Sequence, residues 1–286
     1  MSRNSDDLFW YPKTWMDDEC ASVVRLVRQW ADREIVSRRM EYREGYEKLF
    51  PEKRKKLCID IGIQKLTVPA DLGGFGWNGP ARAPALLTLA CETGRADASI
   101  GVLCSTAWAM LALMDFHHPG GCNAGTVFAP MYASDALQTP AVILPGAGMK
   151  GMDTPLFLGR SIHAGAKKSG SGFALSGRDL RPLVAGGIAD HFCVVCTMDG
   201  DRPCVAFVPG NAPGLRRGPS ILMTGLNACG NAEIGLHDVP VSGAPVLERE
   251  GVVEELYAWL NLLLGGVSVG AATNFFELLA DWSDSR

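Results

Sequence analysis

The segment Ala141–Gly151, which reads AVILPGAGMKG, marks the point where the character of the sequence changes. Four apolar residues lead to Pro145, and glycines follow at Gly146, Gly148 and Gly151. A buried strand that ends in a glycine turn lets a flat or phosphorylated ligand approach the main chain, because no Cβ blocks it. Helical patterns precede this segment and short strands follow it. The segment therefore predicts a change of architecture and a ligand-binding turn.

Composition and charge narrow the class of protein. The 286 residues are 47% apolar and 20% charged, which is typical of a globular protein with a large core. The net charge of −4 and the absence of a basic patch interleaved with aromatic residues argue against nucleic acid as a partner. Nine irregularly spaced cysteines and the polar start MSRNSDD indicate reduced thiols, no secretory signal and a cytoplasmic location.

Helical periodicity dominates the first part of the chain. Apolar residues at helical spacing predict a helix from Asp18 to Glu44, ended by Gly45, and a second helix that begins at Pro51 and reaches Ile61. The basic run Lys53–Lys56 is compatible with an anion site, although a solvated helix face is the favoured interpretation. Residues 83–114 are also predicted to be helical, with a polar break at 94–97.

Two predicted helices are unusually apolar. Ser99–Met114 is almost free of polar residues, which predicts a buried helix that is too short for a convincing membrane span. The tail from Val252 to Arg286 is helical and contains Gly266 and Gly270 in a GxxxG pattern. Such a pattern pairs helices in membranes, and in a globular protein it lets another helix pack closely. The apolar face of this tail predicts self-association or a partner.

From residue 141 to 241 the pattern is that of strands. Short runs rich in β-formers are bounded by turn residues, and they predict an antiparallel barrel or sandwich. The runs are Phe173–Gly177, His191–Cys196, Val205–Pro209 and Glu233–Val239. Cys193 and Cys196 form a CxxC motif, but residues three apart on a strand face opposite sides. Packed core thiols are therefore favoured over a redox or metal site.

Several catalytic and metal motifs are disfavoured. Gly146–Gly151 matches GxGxxG, but Asp153, Pro155 and Gly159 prevent the helix that a dinucleotide-binding βαβ unit requires. A Ser–His–Asp hydrolase is disfavoured, because the five histidines have no evident orienting partner. His117, His118 and Cys122 have no second pair of ligands at zinc-finger spacing, so no metal site is predicted.

Four segments, taken in order, resemble the acyl-CoA dehydrogenase family of flavoproteins. Residues 61–77 are similar to its GLxxLxVPExYGGxG segment, and 91–99 to its EELARADAS helix junction. Residues 186–192 are similar to NGGIADxF, and 225–241 to GLRxSxTAELxFxDVxVP. Each match is loose, but their common order along the chain makes the set fairly specific.

The resemblance implies an α+β multi-domain fold. The expected parts are an all-α N-terminal domain (1–135), an antiparallel β-barrel or sandwich middle domain (136–248) and the first helix of an incomplete C-terminal helical domain (249–286). It also implies FAD as cofactor, an acyl-CoA thioester as substrate, and α,β-dehydrogenation by a catalytic glutamate and the flavin. The cofactor-binding candidates are Pro145, Gly146, Gly148 and Gly186.

The chain departs from the family pattern at the flavin motifs. Where the family has TEPGxGSD, Ile143, Met149 and Lys150 replace Thr, Ser and Asp. Pro182–Val184 stands where the family has WIT or WIS, and Asn227 replaces an arginine. The region of the catalytic glutamate is expected to be absent, so no catalytic residue is assigned.

Two functions follow from these observations. One is a FAD-dependent acyl-CoA dehydrogenase whose catalytic base comes from a partner or from a missing C-terminal region. The alternative is a non-catalytic structural or acyl-CoA-binding subunit of a dehydrogenase complex. Both predict an oligomer, either of this chain alone or with another dehydrogenase-like chain. Neither requires nucleic acid or a membrane span.

Overall fold

The structure is a computed structural model that describes residues 15–114, 116, 124–147, 160–169, 172–199, 202–223, 225–241 and 246–285. Helices occupy the first part, strands the middle and one long helix the end. The helices are α1 (Asp18–Trp30), α2 (Arg39–Lys55), α3 (Ala83–Ala96), α4 (Ala98–Ala112), α5 (Ala124–Ala133) and α6 (Val252–Asp284). This order agrees with the predicted fold class.

The first predicted helix is divided in the structure. Asp17 caps α1 by accepting a hydrogen bond of 2.9 Å from the main-chain N–H of Cys20, as expected for an acidic residue at a helix start. A π-helical turn, Ala31–Ile35, and a short 3₁₀ turn then separate α1 from α2. The prediction that Gly45 ends one helix and Pro51 starts another was wrong, because α2 runs through both positions. Pro51 removes one main-chain hydrogen bond, but the chain is anchored after it by the fully buried Leu57.

The basic run at the end of α2 is not a solvated face, contrary to the prediction. Lys53 and Arg54 are both buried. The Lys53 ammonium donates to Glu34 Oε2 at 2.9 Å, and Lys56 reaches the other oxygen of the same carboxylate at 2.5 Å. These hydrogen bonds lower the pKa of Glu34 to about 2, with Lys56 contributing most. The run was misread because its counter-ion lies about five turns earlier in the chain and is brought close only by folding.

The two apolar helices form the centre of the helical layer. The predicted break between α3 and α4 consists of a single residue, Asp97. Its carboxylate caps α4 by accepting a hydrogen bond of 2.7 Å from the Ser99 N–H. α4 is buried along its length, as predicted. α6 packs against α3 and α4 through its glycines: a Cβ on Gly266 would lie 2.9 Å from the Leu87 carbonyl oxygen. The GxxxG pattern therefore serves close helix packing.

By length and composition alone, α6 would also be able to span a membrane. Core helices of soluble proteins can be equally long and apolar, so these two properties are weak evidence for a membrane span.

The strands form a mixed, largely antiparallel sheet. They are β1 (Pro140–Ile143), β2 (Gly146–Ala147), β3 (Arg160–Ser161), β4 (Ala164–Ser169), β5 (Gly172–Leu180), β6 (His191–Met198), β7 (Arg202–Pro209), β8 (Leu215–Ser220), β9 (Ala232–Val241) and β10 (Val246–Leu247). The main sheet has the order β10-β7-β6-β4-β5-β9-β8, and β2 pairs with β3 separately. Most pairings are antiparallel, as expected.

Two pairings in the sheet are parallel, which the sequence pattern did not indicate. β1 lies parallel to β6, with Val142 opposite Cys193, and β4 also lies parallel to β6. β1 is buried on every residue, which is typical of a strand covered on both faces. It connects the sheet to α4 and ends at the Pro145–Gly146 turn. This placement brings the turn to the edge of a cleft.

Candidate functional site

A cleft of about 520 Å³ opens at the Pro145–Gly146 turn. This volume lies within the usual range for small-molecule sites. Besides Gly146 and His163, its lining contains an apolar set and a charged set of residues, which we call the apolar wall and the charged wall. The apolar wall consists of Leu144, Pro145, Leu180 and Leu183, and the charged wall of Arg178, Asp179, Arg181 and Glu233. A ligand with a flat apolar part and an anionic part would match both walls.

A β-bulge in β5 positions the charged wall. The register between β5 and β9 shifts between Gly177 and Leu180, and Asp179 has a positive φ of 53°. Aspartate tolerates this left-handed conformation better than most residues do. Bulges redirect side chains and often lie beside functional sites. Here the bulge places Arg178 and Asp179 on the cleft.

The two arginines of the cleft differ in whether they have an ion-pair partner. Arg181 forms an ion pair with Glu233, at 2.6 Å between Nη2 and Oε1. Arg178 is exposed and has no ion-pair partner among the described residues. Arg178 is therefore available to an anionic ligand. Neither residue was a sequence-based candidate, because the bulge that groups them arises from pairing with a distant strand.

The predicted site residues separate into three groups. Pro145 and Gly146 line the cleft. A Cβ on Gly146 would lie 3.2 Å from the His163 ring, so glycine permits this close contact. Gly186 does not line the cleft, since its α-carbon packs on β9, where a Cβ would lie 2.1 Å from the Ala232 carbonyl oxygen. Gly148 lies outside the described residues.

Two of the positions that carry hydroxyl groups in the family motifs, Ile143 and Val184, are aliphatic and buried, and a third, Met149, lies outside the described residues. Ile143 and Val184 are only 2% and 1% exposed. Their segments are joined by a hydrogen bond of 2.8 Å from the Leu183 N–H to the Val142 carbonyl, and by a bridge between Ile143 and Pro182. These side chains add apolar packing and offer no donor to a polar ring edge.

A second cleft of about 530 Å³ adjoins the first across the bulge and shares His163, Arg178 and Asp179 with it. Its floor is polar, and Ser176 donates to Asp238 Oδ1 at 2.7 Å. Together the clefts form a groove on either side of Arg178. The groove offers Arg178 to an anionic group, whereas Ile143 and Val184 supply no hydrogen-bond donor to a polar ring edge.

A buried ion cluster lies away from the cleft. Glu92 of α3 is fully buried, and its Oε1 lies 2.7 Å from Arg28 Nη2 of α1. Arg95 lies 3.9 Å from the other Glu92 oxygen and pairs with Glu277 of α6 at 2.8 Å. Burial raises the pKa of Glu92 against the opposing effect of Arg28. Glu92 lines neither of the two clefts described above, and its ion cluster joins α1, α3 and α6.

A buried histidine joins α5 to the sheet. His191 Nε2 and the Tyr132 hydroxyl are 2.8 Å apart. Burial lowers the pKa of His191 to about 4, so the ring is neutral at physiological pH. Phe128 packs edge-on against the same ring, with centroids 5.3 Å apart. These contacts indicate a packing role.

No group of three or more His, Cys, Asp or Glu side chains suited to a metal ion occurs in the part of the chain that the structure describes. The segment with His117, His118 and Cys122 lies outside that part.

One family of known proteins matches part of the chain. Residues 17–118 match the family described as acyl-CoA dehydrogenase, N-terminal domain. The search of curated protein sequences found no match.

Solved structures resemble the chain over almost its whole length. A glutaryl-CoA dehydrogenase from Mycobacterium smegmatis in complex with FADH2 matches with a TM-score of 0.73 at 19% identity, covering 96% of this chain and 67% of the other. An acyl-CoA dehydrogenase from Geobacillus kaustophilus gives 0.71 at 18% identity, covering 95% and 70%. KijD3, in complex with FMN and a dTDP-sugar, gives 0.73 at 18% identity, covering 97% and 66%.

The chain thus spans about two thirds of the length of these structures. At such identities the likeness establishes the fold. The resemblance found in the sequence motifs is confirmed: residues 17–118 belong to the acyl-CoA dehydrogenase N-terminal domain family, and the chain has the fold of the acyl-CoA dehydrogenase family of flavoproteins.

Proposed function

We propose that this chain is the flavin-holding part of an acyl-CoA dehydrogenase-type oxidoreductase that acts on an acyl-CoA thioester. The observation that carries the proposal is the cleft of about 520 Å³ at the Pro145–Gly146 turn, whose lining includes both the apolar wall and Arg178. Three further observations support it: the family match of residues 17–118, a related structure that contains FADH2, and another that contains FMN.

Each wall of the cleft has a separate task in this proposal. Leu144, Pro145 and Leu183 exclude water from the face of the flavin ring. Arg178 binds a phosphate group, and it is free to do so because it has no ion pair among the described residues. When bound, a flavin supplies the acceptor for a hydride from the thioester chain.

The catalytic base is assigned to a partner subunit or to a C-terminal region. Glu233 is held by Arg181, and Glu92 is enclosed between Arg28 and Arg95 far from the cleft's lining. In this proposal Glu233, although it lines the cleft, remains paired with Arg181, and Glu92 does not line the cleft, so neither serves as the base.

The partner surface in this proposal is the second half of α6. Large apolar side chains are exposed there on a helix whose first half packs against α3 and α4. Exposed apolar patches of this kind mark association sites. The side chains are Val269, Phe275, Phe276, Leu278, Leu279 and Trp282. A second dehydrogenase-like chain, or a second copy of this one, is the proposed occupant.

A reducing compartment such as the cytoplasm is part of the same proposal. Eight cysteines of the described residues are buried free thiols. Proteins of oxidising compartments usually pair such residues.

A second candidate function is a non-catalytic subunit that binds acyl-CoA. The burial of Ile143 and Val184 favours it, because these residues stand where the family motifs have hydroxyl donors. Each missing hydrogen bond costs about 1 kcal/mol of cofactor affinity.

One set of measurements separates the two functions. The purified chain is titrated with FAD by fluorescence and with acyl-CoA by calorimetry, and turnover is followed with an artificial electron acceptor. Binding of both ligands, with turnover only after a partner chain is added, is the result expected for the dehydrogenase subunit. Binding of acyl-CoA alone would support the second candidate, and binding of neither would contradict both.

A further inference from the structure

Two cysteines face each other across the β6–β7 hairpin. Cys196 and Cys204 are directly opposite in the antiparallel register, and their sulfur atoms are 3.3 Å apart. Directly opposite residues of antiparallel strands have Cα atoms about 4.5–5.5 Å apart. A disulfide accepts Cα separations of about 4.4–6.8 Å. The geometry points to a redox modification site: Cys196 and Cys204 form a reversible cross-strand disulfide when a hydroperoxide reaches the hairpin.

The two thiols differ in reactivity. The neighbouring Cys196 thiol lowers the pKa of Cys204, whereas Cys204 raises that of Cys196. Arg202 also acts to lower the pKa of Cys204. A thiolate is the reactive form of cysteine, so Cys204 is the attacking residue and Cys196 the resolving one.

The reaction balances with a hydroperoxide as oxidant. The Cys204 thiolate attacks the peroxide oxygen, the O–O bond breaks, and a sulfenic acid forms with release of water or an alcohol. Cys196 then attacks the sulfenic sulfur, the S–S bond forms, and hydroxide leaves and is protonated to water. The two thiols lose two electrons and two protons in total, and the peroxide gains them.

Access to the buried pair comes from the hairpin end. Both thiols are fully buried, but only two residue pairs lie beyond them, Thr197 with Pro203 and Met198 with Arg202. Pro203 has no N–H and cannot donate a main-chain hydrogen bond to β6. β4 pairs with β6 at Thr197 and Met198, whereas β10 pairs with β7 only at Val205 and Ala206. Among the described residues, therefore, no strand pairs with the outer edge of β7 at Arg202 and Pro203. Local opening at strand ends requires little free energy.

The proposal is independent of flavin binding and is tested by peptide mapping. The native chain is treated with hydrogen peroxide, and the remaining thiols are then alkylated under denaturing conditions. Cleavage before Asp199 and Asp201 separates the two strands, so a disulfide between them appears as a linked peptide pair. Fragmentation of that pair assigns the linkage to Cys196 or to Cys193, which share one peptide. We expect this pair to be at least ten times more abundant than any other linkage, and to disappear with dithiothreitol.

Three variants complete the test. Cys196→Ser and Cys204→Ala should abolish the linked pair, and two different substitutions guard against a folding failure of either. Cys193→Ser is the matched control, because Cys193 lies on the same strand opposite Phe207 and should leave the linkage unchanged. Retention of both free thiols in peroxide-treated native protein, or linkage through Cys193, would overturn the proposal.

Discussion

Gly270 of α6 lies directly on the main chain of α3, where a Cβ would be 2.0 Å from the Cys91 carbonyl oxygen. The contact is reciprocal, because a Cβ on Gly94 of α3 would be 2.5 Å from the Val267 carbonyl oxygen of α6. The two helices therefore approach so closely that neither position has space for a methyl group. This contact fixes α6 on the helical layer and presents its second half to solvent.

The close helix contact predicts a specific sensitivity to small substitutions. Gly270→Ala should lower the free energy of unfolding by about 2–3 kcal/mol, because the helices must separate. Gly265→Ala is the matched control on the same helix: no atom lies within 4 Å of its Cβ position. It should raise stability by up to about 1 kcal/mol through helix propensity. Urea denaturation measures both, and equal effects would contradict the contact.

The buried ion cluster predicts a large cost for removing one partner. Glu92→Ala leaves Arg28 and Arg95 without their shared carboxylate, which should lower the free energy of unfolding by about 3–5 kcal/mol. Glu41→Ala breaks an exposed ion pair with Arg38 and should cost at most about 1 kcal/mol. Thermal or chemical denaturation of both variants is the measurement. A loss below 1 kcal/mol in Glu92→Ala would show that the cluster is not buried.

His191 predicts a pH dependence of stability. Its pKa is about 4 in the folded chain against an ordinary value of 6.5, so the unfolded chain binds the extra proton between these values. Stability contributed by the neutral ring is therefore complete above pH 6.5 and is lost as pH falls toward 4.

The loss at pH 5 should be roughly 2 kcal/mol relative to pH 7.5. His191→Gln keeps a polar partner for Tyr132 but removes the titration, so its stability should change by about 2 kcal/mol less between these pH values. Comparing the two proteins cancels the titration of other groups. Identical pH profiles for the wild type and the variant would refute the assignment.

Local patterns in the sequence predicted much of the fold. The order of helices and strands, the buried α4 and the helix-packing role of Gly266 and Gly270 all follow from periodicity and residue size. The resemblance to the acyl-CoA dehydrogenase family rests on short motifs in a fixed order, and the match of residues 17–118 bears it out.

Features that depend on distant contacts were not predicted. The parallel pairing of β1 with β6 and the Lys53–Glu34 ion pair join segments that no local pattern relates. The cleft was predicted only in part. Pro145 and Gly146 were predicted as ligand-binding residues, but Arg178 reaches the cleft only through the bulge in β5, which no local pattern indicates. Gly186 was also predicted to bind the cofactor on the basis of a family motif, but its α-carbon packs on β9.

The most direct test of the central claim is an equilibrium titration of the chain with FAD, followed by flavin fluorescence. The account predicts saturable one-to-one binding in the micromolar range, since the cleft has the required walls but Ile143 and Val184 supply no hydroxyl donors. Arg178→Ala should weaken binding about tenfold or more, through loss of a charged hydrogen bond. Lys168→Ala, which removes an exposed charge outside the cleft, should leave the affinity unchanged. Absence of binding at saturating FAD, or equal affinities for the wild type and Arg178→Ala, would contradict the account.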